Sequence, residues 1–152
     1  MCVLECRRHD GCTSSPRRPN DGATPLGDWA PATDDSYYTY TGDGKIYDKW
    51  GSTSRKDAIT VSGLNSWHVY EVRTASGAWS CHKDGTQLHS TGTNTVGWGS
   101  APKVGRVSTN SKYIEGLYAE VIFYSAVLSS SDRWDTVHTY LNNKYGFSLP
   151  TS

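Results

Sequence analysis

This sequence is short of charge imbalance, of long apolar runs and of most signatures of chemistry. Its 15 basic and 15 acidic residues cancel to a formal net charge of zero. No overall field therefore draws it to nucleic acid or to an anionic membrane surface. No apolar run approaches the roughly 18 residues that a membrane-spanning helix requires, which excludes membrane insertion through such a helix. The opening residues, Met1-Cys2-Val3-Leu4-Glu5-Cys6-Arg7-Arg8, lack the apolar centre of a secretion signal. Methionine occurs once and phenylalanine twice, against six Trp and ten Tyr. The aromatic content is thus carried by rings with a polar handle, which suit both β-sheet cores and binding surfaces.

Catalytic and metal-binding patterns are equally scarce. Asp34 and Asp35 are adjacent and Glu115 and Glu120 five apart, so in a strand each pair splits between opposite faces. Glu71 stands alone. No residue is assigned a catalytic role. Glu120 lies in a strand-like run and is read as an anchor, holding a loop or helix backbone through charge-assisted hydrogen bonds. Cys2, Cys6 and Cys12 lack the spacing of a zinc knuckle, and Cys81 lies by itself in a strand-like segment. Free thiols are the preferred reading of all four. His82 and His89 flank the Asp84-Gly85 turn and are placed to approach each other across a hairpin. No metal site is assigned.

What is present reads as β-structure in a single domain spanning residues 1–152. Residues 1–8 allow a short strand. Residues 9–35, which hold most of the prolines, read as a loop-rich N-terminal arm. Ser36–Tyr40 and Lys45–Trp50 form a hairpin around Gly42-Asp43-Gly44. Ala58–Val61 is a further short strand. Ser66–Arg73, Ala78–Lys83 and Thr86–His89 follow, the last two joined by Asp84-Gly85, a strong two-residue hairpin signal. Lys103–Val107 and Gly116–Tyr124 complete about nine strands at the close spacing of a sandwich or barrel. The last run is so apolar that it reads as buried on both faces, with Leu117, Ala119, Val121 and Phe123 on one side and Tyr118, Glu120, Ile122 and Tyr124 on the other. A helix over 130–145 follows. Ser129 and Asp132 have capping-box spacing, Trp134, Val137, Leu141 and Tyr145 make its apolar stripe, and Gly146 ends it.

The segment Glu115-Gly116-Leu117-Tyr118-Ala119-Glu120-Val121-Ile122-Phe123-Tyr124-Ser125-Ala126-Val127-Leu128-Ser129, with Asp132-Arg133, Tyr140-Leu141 and Lys144-Tyr145-Gly146 after it, resembles the closing segment of the laminin-G-like, concanavalin-A-like jelly-roll family. The resemblance covers roughly residues 36–149. It implies an all-β fold, a two-sheet antiparallel jelly-roll sandwich with one short C-terminal α-helix. The departure lies at the front, where the family's first strands give way to the proline-rich arm. Either the sandwich is truncated, or residues 1–8 supply a substitute strand, or another subunit completes the edge.

The family includes lectin-like modules, adhesion domains, glucanases and parts of virus particles, and a shared fold transfers none of these activities. Three functions follow as expectations. The first is a non-catalytic lectin-like recognition module binding a glycan or a protein surface. The second is a structural protein of a virus particle, a capsid decoration or cement subunit that meets capsid protein or further copies of itself. The third, a glycoside hydrolase, lacks the family's close acid cluster. The expected location is extracellular or on a virion surface. Some members hold calcium through loop oxygens; the loops with Asp43, Asp48 and Asp57 are where it would sit, although no ligand pattern marks them, and no cofactor is assigned. Candidate ligand- or partner-binding residues are Tyr38, on the strand face opposite Tyr37, then Tyr47, Trp50 and Trp98, whose rings lie beside glycine-rich turns, and Arg17, Arg18 and Trp29 as anchors of the arm.

Overall fold

In the computed structural model, residues 2–8, 23–28, 36–40, 43–64, 66–100, 103–105 and 117–152 are described, with side chains from Ser36–Tyr38, 43–64, 66–100, 103–105 and 118–152. Ten strands are found among them: β1 (Cys2–Arg8), β2 (Ala23–Asp28), β3 (Ser36–Tyr40), β4 (Ile46–Asp48), β5 (Lys56–Ile59), β6 (His68–Ala75), β7 (Ala78–Lys83), β8 (Thr86–Thr91), β9 (Lys103–Val104) and β10 (Leu117–Phe123). They form two five-stranded antiparallel sheets, ordered β10-β1-β6-β7-β8 and β5-β4-β3-β2-β9. The sheets face each other. Tyr38, Ile46, Trp50 and Ile59 of one side and Tyr70, Val72, Trp79 and Cys81 of the other meet in a single core.

Local signals place the hairpins of the first sheet. Asp84 (φ 49°) and Gly85 (φ 78°) both take the left-handed conformation that a tight two-residue hairpin demands. Asp84 also ties the turn to β6: its carboxylate accepts from the Val69 N–H at 2.8 Å, and its own N–H donates to Val69 O at 2.9 Å. Gly85 is needed on steric grounds as well, since a Cβ there would lie 2.5 Å from Pro150 of the C-terminal tail.

Three expectations need correction. First, β10 is not buried on both faces. It is an edge strand whose one ladder partner is β1. Tyr118, Glu120, Val121, Ile122 and Tyr124 are half-buried, and Phe123 is exposed. The alternation itself holds: Val121 packs into the core between the sheets, while Ile122 and Tyr124 pack under the helix. The reading of residues 1–8 as a strand is met by β1, which runs between β10 and β6. Second, the stretch read as an arm contains β2, paired with β3 and β9; the rest of 9–35 lies outside the described residues. Pro25 is compatible with this strand because β9 pairs only with Gly27 and Asp28, and the β2–β3 register shifts on either side of Pro25. Third, His82 and His89 do not converge. His89 pairs with Cys81 and lies against Trp79, whereas His82 pairs with Glu71 on the opposite face.

The helix, α1, runs over 130–145. Its start is capped by Ser129, whose Oγ accepts from the Asp132 N–H at 3.0 Å and donates to the Asp132 carboxylate at 2.7 Å. Asp132–His138 winds in wide π-type turns and Thr139–Tyr145 in regular α turns, closed at Gly146. Val137 and Leu141 seat it on Val69 of β6, with Leu149 of the returning tail. Asn142 pins that tail by exchanging bonds with Leu149 N (2.8 Å) and O (3.0 Å). Among the described residues no helix is long and apolar enough to cross a membrane.

Candidate functional site

At one end of the molecule, the loop after β8 folds back over the loop after β4. Asn94 is the clamp. Its side chain bonds Ser52 Oγ (2.7 Å), Thr74 Oγ1 (3.0 Å) and Ala75 O (2.9 Å), and its carbonyl accepts from Gly77 N (2.8 Å). Thr53 N donates to Thr95 O at 2.9 Å. This brings Trp98 down on Gly51, where a Cβ would lie 2.7 Å from the indole and 2.3 Å from Thr74 Cγ2. Only glycine fits beneath that ring, and its φ of 58° favours glycine as well. The Trp98 ring meets Trp50 edge-on at 5.0 Å, and Phe123 of β10 stacks on Trp50 at 5.4 Å. Trp98 is 37% and Phe123 48% exposed, while Trp50 is 2% exposed. The outcome is a pair of exposed rings backed by a buried one.

Two of the expected binding residues, Trp50 and Trp98, therefore come together, but in different roles. Trp50 is a support that no ligand can reach; its carbonyl accepts from the Trp79 indole at 2.9 Å. Phe123, assigned by alternation to a buried strand face, is the ring that sequence reading missed. Tyr38 is also corrected. It is buried in the core, edge-on to Tyr70 at 4.9 Å, with its hydroxyl 2.8 Å from His68 Nε2. Tyr47 lies apart from the aromatic pair, half-buried, donating to Asp43 at 2.6 Å beneath the Arg55 guanidinium. That hydrogen bond holds the Asp43 carboxyl below its usual range and pushes the Tyr47 phenol up. Arg17, Arg18 and Trp29 lie outside the described residues.

The carboxylates are bound up in the architecture. Asp48 is fully buried and accepts from Trp50 N (2.8 Å) and Tyr70 Oη (2.8 Å); burial pushes its carboxyl up against the pull of these bonds. Glu120 accepts from Tyr140 (2.9 Å), Tyr145 (3.0 Å) and Lys144 (3.1 Å) of α1. Burial acts upward on it, yet those three donors hold it below its usual range. This is the helix anchor expected of Glu120, made through side chains rather than backbone.

Glu71 does not stand alone. It is fully buried, bonded to His138 Nε2 and within 3.4 Å of Arg133 Nη1. The wide turns of α1 make this possible, because bonds from residue i to i+5 stack residues five apart on one face. His82, across the ladder from Glu71, is buried and its pKa is pushed down to about 4 by desolvation. The Cys81 thiol is free, buried and pushed up to about 12 by burial. Among the described residues no three His, Cys, Asp or Glu side chains are placed to hold a metal ion. The three aspartates of the calcium expectation are differently employed, Asp48 in the core, Asp43 with Tyr47 and Asp57 with Arg55.

No protein-family model and no curated protein matches the chain. Its structure is similar to that of a Trypanosoma rangeli sialidase, solved in complex with 2,3-difluorosialic acid as a covalent intermediate, with a TM-score of 0.57 and 14% sequence identity. The match covers 90% of this chain and 23% of the sialidase chain. At that identity the likeness is one of fold, and this chain corresponds to less than a quarter of the sialidase's length.

Proposed function

We propose that this chain is a non-catalytic recognition module of the concanavalin-A-like, laminin-G-like jelly-roll class, binding a glycan through Trp98 and Phe123. The observation that carries this reading is the aromatic pair itself. Two large rings are held partly in solvent by Trp50, by the absence of a side chain at Gly51 and by the Asn94 clamp. A rigid, pre-ordered apolar surface loses little entropy on binding and fits the CH faces of a sugar ring. The engagement of Asp48, Glu71 and Glu120 within the fold supports the non-catalytic part of the proposal.

The test is an oligosaccharide array probed with wild-type protein, Trp98→Ala and Phe123→Ala, with Trp67→Ala as an exposed aromatic elsewhere. Glycans bound by the wild type should lose about tenfold or more in affinity in the first two variants, since central aromatic contacts are each worth upwards of about 1.4 kcal/mol. Trp67→Ala should bind as wild type. Undiminished binding in both platform variants would remove the assignment.

A further inference from the structure

We propose a second binding site on the outer face of the first sheet, a cleft centred on Arg73 that takes one carboxylate-bearing sugar ring. The cleft has a volume of about 250 Å³ and lies between the β6–β7–β8 ladder and the segment that leads from β10 into α1. Three strands supply it in register: Arg73 pairs with Ser80 and Ser80 with Ser90, one cross-strand row of a guanidinium and two hydroxyls. Gln87 stands beside the row and donates to Ser90 Oγ at 3.2 Å, which orients the amide. Val127, 37% exposed, forms the opposite wall, with Ala75 and Ala78 at one end.

The charge of Arg73 makes this more than a surface dimple. Its Nη2 donates to Leu128 O at 2.9 Å, fixing the guanidinium at the edge of the cleft; its Nε is buried, without an acceptor among the described residues, so the terminal nitrogens are the ones left for a ligand. The carboxylate two residues along on the same strand face, Glu71, is already held by His138 and Arg133. Among the described residues no acidic side chain lines the cleft. Arg73 is thus a positioned cation, and the carboxylate two residues along its own strand is already paired. A guanidinium recognises a planar carboxylate through paired N–H donors. The hydroxyls and amide beside it both donate and accept, as the hydroxyls of a sugar require. The apolar wall suits the ring's CH face. At this volume the cleft falls below the roughly 300–1,000 Å³ of sites for drug-sized ligands, so it accommodates one ring rather than a chain. Neither Trp98 nor Phe123 lines it, and the proposal stands independently of the aromatic pair.

The test is NMR titration of isotopically labelled full chain with glucuronate, glucose, acetate and inorganic phosphate in turn. Glucuronate should give saturable shifts of backbone amides in residues 73–80 and 87–91, with glucose, acetate and phosphate at least about tenfold weaker. Arg73→Gln should abolish those shifts. Val127→Trp should do the same by filling the cleft while leaving the guanidinium in place, and it decides the matter if Arg73→Gln does not fold. Trp67→Ala, an exposed aromatic outside the cleft, should leave the titration unchanged. Absence of saturable shifts, equal binding of glucose or phosphate, or wild-type binding by Val127→Trp would overturn the proposal.

Discussion

His82 faces Glu71 across the β6–β7 ladder, with Arg133, Arg73 and His138 around it. Desolvation dominates its titration; Glu71 pulls its pKa up and the three cationic or titratable neighbours push it down, leaving it at about 4 against an ordinary 6.5. In the folded chain the ring is therefore neutral down to about pH 4, whereas the unfolded chain takes up a proton near 6.5. Between those values the unfolded state binds more protons, so this residue's contribution to stability falls as the pH is lowered, by at most about 1.4 kcal/mol per pH unit. Denaturant unfolding from pH 7.5 to 4.5 should show a steeper loss in wild type than in His82→Asn. Equal slopes would mean that His82 is solvated as an ordinary histidine. His82 was legible only as a strand residue near a turn. Its neighbours Arg133 and His138 come from α1, more than fifty positions later.

At the scale of elements, α1 shows how periodicity can be right and incomplete. The stripe of Val137 and Leu141 does bury against the sheet, with Trp134 and Tyr145 half-buried at its margins. The wide first turns add Arg133 and His138 to the buried face, which an α-helical count of apolar positions does not register. Two acids secure the element differently. Glu71 holds its first half from a dry interior, and Glu120 its last turns from a half-exposed position. Leu141→Ala should destabilise the chain by about 2–5 kcal/mol, because the cavity opens among the buried side chains of Val69, Val137 and Leu149. Thermal or denaturant unfolding checks this. A loss under about 1 kcal/mol would mean that the helix is a loosely attached appendage.

At the scale of the whole molecule, the chain's first strand lies between its last strand and its sixth. β1 pairs with β10 on one side and β6 on the other, so the sheet that carries α1 closes only when residues distant in sequence meet. Removing residues 2–8 should separate β10, and Glu120 with it, from the rest of the first sheet. The expected readout is loss of near-ultraviolet circular dichroism and of NMR chemical-shift dispersion. A truncated chain that keeps native dispersion would show that β10 can pair directly with β6. The same topology explains the misreading of β10: nine nearly unbroken apolar and aromatic residues look like an interior strand, yet β1 takes the interior place beside β6 and leaves β10 at the edge.

The parts of this protein whose causes are local can be read along the chain. The β6–β7–β8 meander follows from its turn residues, the helix limits from Ser129 and Gly146, and the β-rich class from the alternation of the strands. Short-range sterics and capping bonds act between residues a few positions apart, so they can be read in order along the chain. What faces what emerged from the assembled fold. It buried Tyr38 and Trp50, left Phe123 half in solvent, and gave Glu71 its partners 62 and 67 residues away. Those outcomes depend on which strand becomes an edge and where the helix lands. Both are settled by the packing of the two sheets and the helix together, where a long-range contact forms only when the burial it brings outweighs the entropy of closing the loop between its partners.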